Sequence, residues 1–577
     1  MKPQKNSLSH LIELYGNDLG RATLTRLATV LDKYRGRIPP PRAPGLTARD
    51  AILITYGDQV RAPHQVPLRT LADFCATHLR DVVSGVHILP FYPYSSDDGF
   101  SVLDYRVVNP ALGSWEDIAR LRQNFRLMFD LVANHVSAQS EWFQEFLRGD
   151  SGYADYFIRV PEGADLSQVV RPRALPVLTQ FATPSGIQNV WTTFSADQID
   201  LNYRNPDVLI EIIDVLLSYV ARGAEFIRLD AIAFLWKEFG TPCLHLPQTH
   251  RIIQLLRAVL DEIAPHVMLI TETNVPHQDN LAYFGDGANE AQMVYNFALP
   301  PLTLHAFHTS DASTLSRWAS ALTLPSTRVT FFNFLASHDG IGLTPARGIL
   351  SDAELGALVA RARTHGGFVS NRNNPDGTTS PYELNINLFD ALNDPHAPKS
   401  LETQVDRFIA AQAIMLAFVG VPGIYFHSLF GSRGWREGVA RTGNNRTINR
   451  EKLERAALER ELADAGSRRH KIFVRYANLL RARTAHPAFN PYGAMKVLDA
   501  GPTIFALLRG ESPGAVLCLQ NVSAFGQTVE RDIVGLLDSQ RVIDLLTEQV
   551  LDANQARMLS PYQSRWFTCP EGNKEEQ

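Results

Sequence analysis

The 577-residue sequence contains only four cysteines, Cys75, Cys243, Cys518 and Cys569, and none of them falls in a CxxC spacing. That excludes a zinc ribbon and a disulfide framework, and it fits a reducing compartment. There is no basic excess: 55 Lys and Arg face 60 Asp and Glu, for a net charge of −5. Such a balance argues against general binding to DNA or RNA, where phosphate neutralisation requires positive charge. The opening residues, MKPQKNSLSHLIELYG, lack the apolar core of a signal peptide, so the expected location is the cytoplasm. Long apolar runs are equally scarce. Phe408 to Phe426 is long enough to span a bilayer, but it holds Gln412 and is cut by Gly420-Val-Pro-Gly423. It reads as a buried helix, a turn and a buried strand, and no membrane partner is expected.

What is present is a repeating unit. Short apolar runs occur at 51–56, 86–91, 127–134, 225–232, 267–274, 293–300, 330–337 and 423–426. Stretches with helical spacing separate most of them, for example Val208 to Val220 and Ile252 to Leu260. Eight apolar strands alternating with helices predict an α/β fold, a (β/α)8 TIM barrel of parallel strands buried on both faces. An open doubly wound sheet would need a glycine-rich phosphate turn after an early strand, and the sequence has none.

The spacing also divides the chain. Residues 1–50 predict a helical extension ending in a Pro-rich linker, Ile38 to Pro44. Residues 51–487 form the catalytic barrel. An inserted subdomain, 136–206, follows strand three, and a long loop or subdomain, 341–400, follows strand seven. Alternating stretches after 488 predict a C-terminal antiparallel β domain to 570, with residues 571–577 as a frayed tail.

In a barrel of this kind, polar residues at the C-terminal ends of strands face the active site. Asp97 and Asp98 follow strand two. Asp130, Asn134 and His135 end strand three, Arg228 and Asp230 strand four, Glu272 strand five, and His338 and Asp339 strand seven. Singly, each is explained by a helix cap, an ion pair or a hydrogen-bonded core histidine. Together they would place several acids in one mouth, a costly arrangement that persists where chemistry requires it. Two carboxylates, with no metal or cofactor, are what cleavage of a glycosidic bond needs. Arg228 would favour an ionised Asp230, and the apolar run around Glu272 would raise its pKa and suit it to acid/base work. Asp97, His135, His338 and Asp339 would then hold sugar hydroxyls. A metal is not demanded: Asn134 could ligate one, but residues 136–206 show no obvious acidic partner for it.

These residues resemble a known family. Asp130-Leu-Val-Ala-Asn-His135, Ile227-Arg-Leu-Asp230, Glu272 and Phe334-Leu-Ala-Ser-His-Asp339 are similar, in order, to the four motifs of the α-amylase superfamily, glycoside hydrolase family 13. The resemblance implies a retaining reaction with Asp230 as nucleophile, Glu272 as acid/base and Asp339 as transition-state stabiliser. His135, Arg228 and His338 would belong to the donor pocket. Asp97-Asp-Gly-Phe100, Arg171-Pro-Arg173, Val190-Trp-Thr-Thr-Phe194, Gln198-Ile-Asp200 and Asn444-Asn-Arg-Thr-Ile-Asn-Arg450 resemble the sucrose phosphorylase subfamily. That likeness implies that Asp97 and Arg450 clamp the far glucose hydroxyls and that Phe100 stacks on the ring. Phosphate would meet Arg171 or Arg173 together with Tyr382.

The sequence departs from sucrose phosphorylases at the acceptor. Glu383 stands where a Gln is expected, and Phe234 where a Tyr is expected. With the N-terminal extension, and with 270–277, 329–344 and 431–433, these features look most like the glucosylglycerate phosphorylase group. The resemblance implies small-molecule partners only: an α-glucoside, inorganic phosphate, glucose 1-phosphate and glycerate, with no cofactor. An acidic acceptor should meet a cation, and Arg433, Arg436, Arg441 or the Arg171/Arg173 pair are the candidates. Phosphorylases of sucrose, sucrose 6-phosphate or glucosylglycerol, an α-glucosidase, and an inactive sugar-binding barrel are the rival readings. The oligomeric state has no signature, and a homodimer stays open.

Overall fold

The structure, a computed structural model, describes residues 2–374, 377–397 and 399–570; the expected tail, Gly572 to Gln577, lies outside them. Eight parallel strands close into a barrel: β1 (Ile52–Thr55), β2 (Gly85–Ile88), β3 (Arg126–Leu131), β4 (Ala224–Leu229), β5 (Met268–Thr271), β6 (Met293–Tyr295), β7 (Thr330–Asn333) and β8 (Val421–Tyr425). Each of the eight apolar runs supplies one strand. Closure is made by β1, whose Ile52 is in register with Gly85 of β2 on one side and Gly423 of β8 on the other. Almost every barrel-strand residue is buried, which is why the runs are continuous rather than alternating. Gly423 shows how full the interior is: a Cβ there would lie 2.4 Å from the Phe332 ring.

The connecting helices form where capping and periodicity agree. Pro206–Ala221 begins with Asn205, whose side chain accepts a hydrogen bond from the Asp207 N–H, followed by Pro206 in the first turn. Its apolar positions, from Val208 to Val220, are nearly all buried. The segment that resembled a membrane span is a helix, Leu401–Ala417, then a turn, then β8. Among the described residues no helix is long and apolar enough to cross a membrane.

Four additions surround the barrel. The N-terminal helices, α1 (Lys2–Tyr15) and α2 (Asn17–Tyr34), dock on its outer helices. The Lys33 ammonium lies 2.7 Å from Asp214, and the Tyr15 hydroxyl donates to the Tyr203 carbonyl. The Pro-rich stretch that follows is pinned to the barrel's underside: Arg122 donates to the Pro40 carbonyl, and the Arg42 backbone N–H donates to Glu225. After β3, the chain makes a hairpin, Leu178–Thr183 with Gly186–Trp191, and a short antiparallel pair, His135–Ser137 with Gln198–Asp200. After β7 comes an ordered three-stranded antiparallel sheet, with Thr379–Asn385 between Ile341–Gly342 and Phe368–Asn373. From Met495 onward, six antiparallel strands form a separate sheet. It packs on the helix Leu401–Ala417 through Phe505, stacked on Phe418 at 5.7 Å.

One buried cation joins these parts. Arg483 is fully buried and donates to the carbonyls of Ala48, Asp50, Leu416, Gly420 and Phe489. It ties the entry to β1, the turn before β8 and the start of the C-terminal sheet. Burial pushes its guanidinium down to about 9. Arg483→Met would orphan these carbonyls and should cost ~3 kcal/mol or more. Arg483→Lys should recover little, because an ammonium cannot fan five donors. Thermal unfolding of the two variants beside the wild type measures both effects.

Candidate active site

The strand ends deliver their polar groups into one cavity at the C-terminal mouth. Asp230 follows β4, Glu272 follows β5 and Asp339 lies beyond β7, and all three line it. Behind them sits Arg228, 2% exposed. Its Nη1 bonds both Asp130 and Asp230, the latter at 2.9 Å, and its Nη2 is 3.8 Å from Glu272. Glu272 also accepts a hydrogen bond from the Ala231 N–H at 3.2 Å. Ala231 has a φ of 48°, a left-handed conformation unusual for alanine, at the bend that follows Asp230.

The electrostatics differ from the sequence expectation at Asp230. An adjacent arginine was expected to keep that carboxyl low. Instead burial pushes it well above the usual range, against Arg228, and Glu272, Asp130 and Asp339 push it further. The reason is that one guanidinium serves three acids, and Asp130 takes a full share, its carboxyl held low by His87 and Arg228 against its burial. Burial also raises Glu272, with Asp339 adding to the rise. Two interacting carboxyls of this kind titrate as a pair. Asp339 goes the other way: burial would raise it, but the charges of Arg446 and Arg450 outweigh that and hold it low.

The far wall is built from the segment after β2. Asp97 and Asp98 both have left-handed φ, 53° and 50°. Arg450 Nη1 lies 3.4 Å from Asp97 and 2.6 Å from Asp98, and Arg173 is 3.0 Å from Asp97. Gly99 is required there, because a Cβ would sit 2.5 Å from the Pro90 carbonyl. Phe100 stacks face to face on His338, with centroids 4.9 Å apart. Burial lowers His338 to about 3, so its ring is neutral at neutral pH. Its Nδ1 is buried without a hydrogen-bond partner among the described residues, ready for a ligand hydroxyl. His135 Nε2 meets the Phe100 carbonyl and Gln198.

Of the residues singled out in the sequence, Asp97, Phe100, His135, Arg171, Arg173, Asp230, Phe234, Glu272, His338, Asp339 and Tyr382 line this cavity. Arg228 and Arg450 act from behind it. Glu383 does not line it. It is 1% exposed and forms a two-pronged ion pair with Arg446, at 3.1 and 2.7 Å. The three loop arginines fall elsewhere. Arg433 pairs with Asp390, Arg436 donates to the His365 carbonyl and Arg441 covers the Trp435 ring.

Arg446 is the important residue that sequence reading passed over. It lies inside the motif 444–450, and its Nη1 is 2.6 Å from Asp339. Its signal was available: a second arginine, one helical turn before Arg450, in a segment already suspected.

Asn134 also reads differently in three dimensions. It does have an acidic neighbour in the insertion, Asp200, which accepts its amide N–H at 2.9 Å. Between them lies the buried ammonium of Lys237, 2.6 Å from Asp200 and 2.9 Å from the Asn134 carbonyl oxygen, and also bonded to the Phe234 carbonyl. The chain thus places its own cation among these oxygens. Among the described residues, no group of three or more His, Cys, Asp or Glu is arranged to hold a metal ion. Lys237→Met would strand Asp200 and should cost ~3–5 kcal/mol. Adding Asp200→Asn should recover part of that loss, and a double-mutant cycle by thermal unfolding separates the two contributions.

Comparison with known proteins places this site. The sequence pattern of the α-amylase catalytic domain matches residues 79–340. The chain is 51% identical to a glucosylglycerate phosphorylase of Allomeiothermus silvanus, covering 98% of each chain. It is 52% identical to a glucosylglycerate phosphorylase of Spirochaeta thermophila, over 91% of this chain and 90% of that one. In fold it is similar to the crystal structure of sucrose 6F-phosphate phosphorylase from Thermoanaerobacter thermosaccharolyticum, with a TM-score of 0.72 at 24% identity, covering 84% of this chain and 95% of that one. A closed parallel barrel, acids at the ends of β4, β5 and β7, and half of all residues shared with such relatives together mean that the chain belongs to the α-amylase family, in its sucrose phosphorylase subfamily.

Proposed function

We propose that this protein is a retaining glycoside phosphorylase that converts 2-O-α-D-glucosyl-D-glycerate and phosphate into α-D-glucose 1-phosphate and D-glycerate. The observation that carries the chemistry is a pair of carboxyls, Asp230 and Glu272, held on the same guanidinium with a third acid, Asp339, across the cavity. The acceptor assignment rests on the two relatives above, which share that name and about half of this sequence.

In this reading Asp230 attacks the anomeric carbon while Glu272 protonates the departing glycerate oxygen. The C–O bond to glycerate breaks, and a glucosyl ester forms on Asp230. Phosphate then enters the vacated space and attacks the same carbon. Glu272 takes its proton, and the Asp230 carboxylate is released. Asp339, held ionised by Arg446 and Arg450, stabilises positive charge at the anomeric carbon. Asp97 and Arg450 grip the far hydroxyls, Phe100 and Phe234 supply apolar walls, and Arg171 and Arg173 with Tyr382 face phosphate. Glu383 has an indirect role: it anchors Arg446, which in turn holds Asp339.

Asp230→Ala should remove nearly all turnover in both directions, measured as glucose 1-phosphate formed from glucosylglycerate and as phosphate released in reverse. Activity near the wild-type level would refute the assignment. Glu272→Gln should abolish release of glycerate yet keep measurable turnover of α-glucosyl fluoride, whose leaving group needs no proton.

The pair also sets the pH dependence. Turnover needs one of the two carboxyls ionised and the other protonated, so kcat/KM should be bell-shaped. Because burial and neighbouring acids raise both groups, the basic limb should lie well above the ordinary carboxylate range. In Glu272→Gln, assayed with glucosyl fluoride, that limb should vanish. The acidic limb, which reports Asp230 losing its proton while Glu272 is still protonated, should stay near its wild-type position, because a neutral amide replaces a neutral carboxyl.

A further inference from the structure

The guanidinium groups around the cavity are not equally available. Arg173 is committed to Asp97. Arg446 is committed to Asp339 and Glu383. Arg228 and Arg450 sit behind the wall, each among two or more acids. Arg372 also lines the cavity, alongside Tyr382 and Glu272. It lies on the strand Phe368–Asn373 and is half-buried. Its one hydrogen bond is a long one, 3.4 Å from Nε to the Ser380 hydroxyl, and no carboxylate pairs with it among the described residues. Arg347 is close by, donating to the Pro381 carbonyl, and its own Nε is buried without a partner. Burial and the charge of Arg347 both disfavour the protonated form of Arg372. Two neighbouring cations, one of them lining the cavity, with no compensating acid among the described residues, are costly in isolation and are relieved when an anion arrives.

We propose that Arg372, reinforced by Arg347, binds the carboxylate of the acceptor and so makes the enzyme selective for a 2-hydroxy acid over a neutral polyol. This rests on the reaction proposed above and adds the residue that reads the acceptor. Arg171, the other cavity arginine without an acidic partner among the described residues, lies in the irregular segment between Glu141–Arg148 and Leu178–Thr183. Arg372 lies instead in a hydrogen-bonded strand, paired through Ser380. A fixed planar fork suits a carboxylate, whose two oxygens it can meet side by side.

The test uses the full-length enzyme with glucose 1-phosphate as donor. The ratio of kcat/KM for D-glycerate to that for glycerol is measured in wild type, Arg372→Met, Arg372→Lys and Arg171→Met. The ratio should fall by about tenfold or more in Arg372→Met, mainly through KM for glycerate, and less in Arg372→Lys, which keeps charge but loses the fork. Turnover of α-glucosyl fluoride by Arg372→Met verifies that the barrel and Asp230 are intact. An unchanged ratio in Arg372→Met, or a fall in Arg171→Met with none in Arg372→Met, overturns the proposal while leaving the reaction standing. A wild-type enzyme that fails to use glycerate overturns the reaction itself, and this inference with it.

Discussion

One guanidinium determines the state of this site. Arg228 is buried at the end of β4 and touches three carboxylates, Asp130, Asp230 and Glu272. Charge taken from water must be repaid by partners at short range, and one cation cannot fully repay three anions. The shortfall falls on Asp230 and Glu272, whose carboxyls are both raised by burial and by neighbouring acids. A pair that resists double ionisation is what a nucleophile and an acid/base catalyst working side by side require. The proposed chemistry thus follows from an incomplete compensation, set by the position of a single side chain.

Around that centre compensation is fuller. Arg446 and Arg450 hold Asp339, and Arg450 and Arg173 hold Asp97. Asp339 and Asp97 accordingly stay ionised despite their burial. The cavity therefore has acids of two kinds. Asp230 and Glu272 are left free to exchange a proton, while Asp339 and Asp97 are locked as charges. The lock on Asp339 extends outward through Arg446 to Glu383, so a residue that never faces the cavity still bears on its field.

The rest of the chain keeps these groups still. The eight-stranded barrel fixes the strand ends, and the sheet after β7 carries Tyr382 and Arg372 to the rim. The insertion after β3 carries Arg171 and Arg173 to the same cavity and delivers Asp200 to Lys237. Arg483 binds the entry to β1, the turn before β8 and the C-terminal junction through backbone carbonyls alone. A catalytic group misplaced by 1 Å can lose much of its effect, which gives physical meaning to so many buried charges far from the substrate.

Much of this was legible in the residues themselves. Strands buried on both faces leave continuous apolar runs, so the barrel was visible in the pattern. Acids at the ends of those runs were visible because position along a barrel strand determines the face it serves. The turn at Gly420 to Gly423 was enough to separate Leu401–Ala417 from β8. Pairings across the cavity were not legible. That Arg433 meets Asp390, that Glu383 lies under Arg446, and that Arg372 meets no acid among the described residues depend on contacts between segments dozens of residues apart. The raised carboxyl of Asp230 belongs to the same class. Its neighbour Arg228 is written in the sequence two positions away, but the competition from Asp130 and Glu272 is not. Periodicity and strand-end chemistry are local and survive in one dimension, whereas the sharing of charge in a buried site is a sum over space, and only the folded chain performs it.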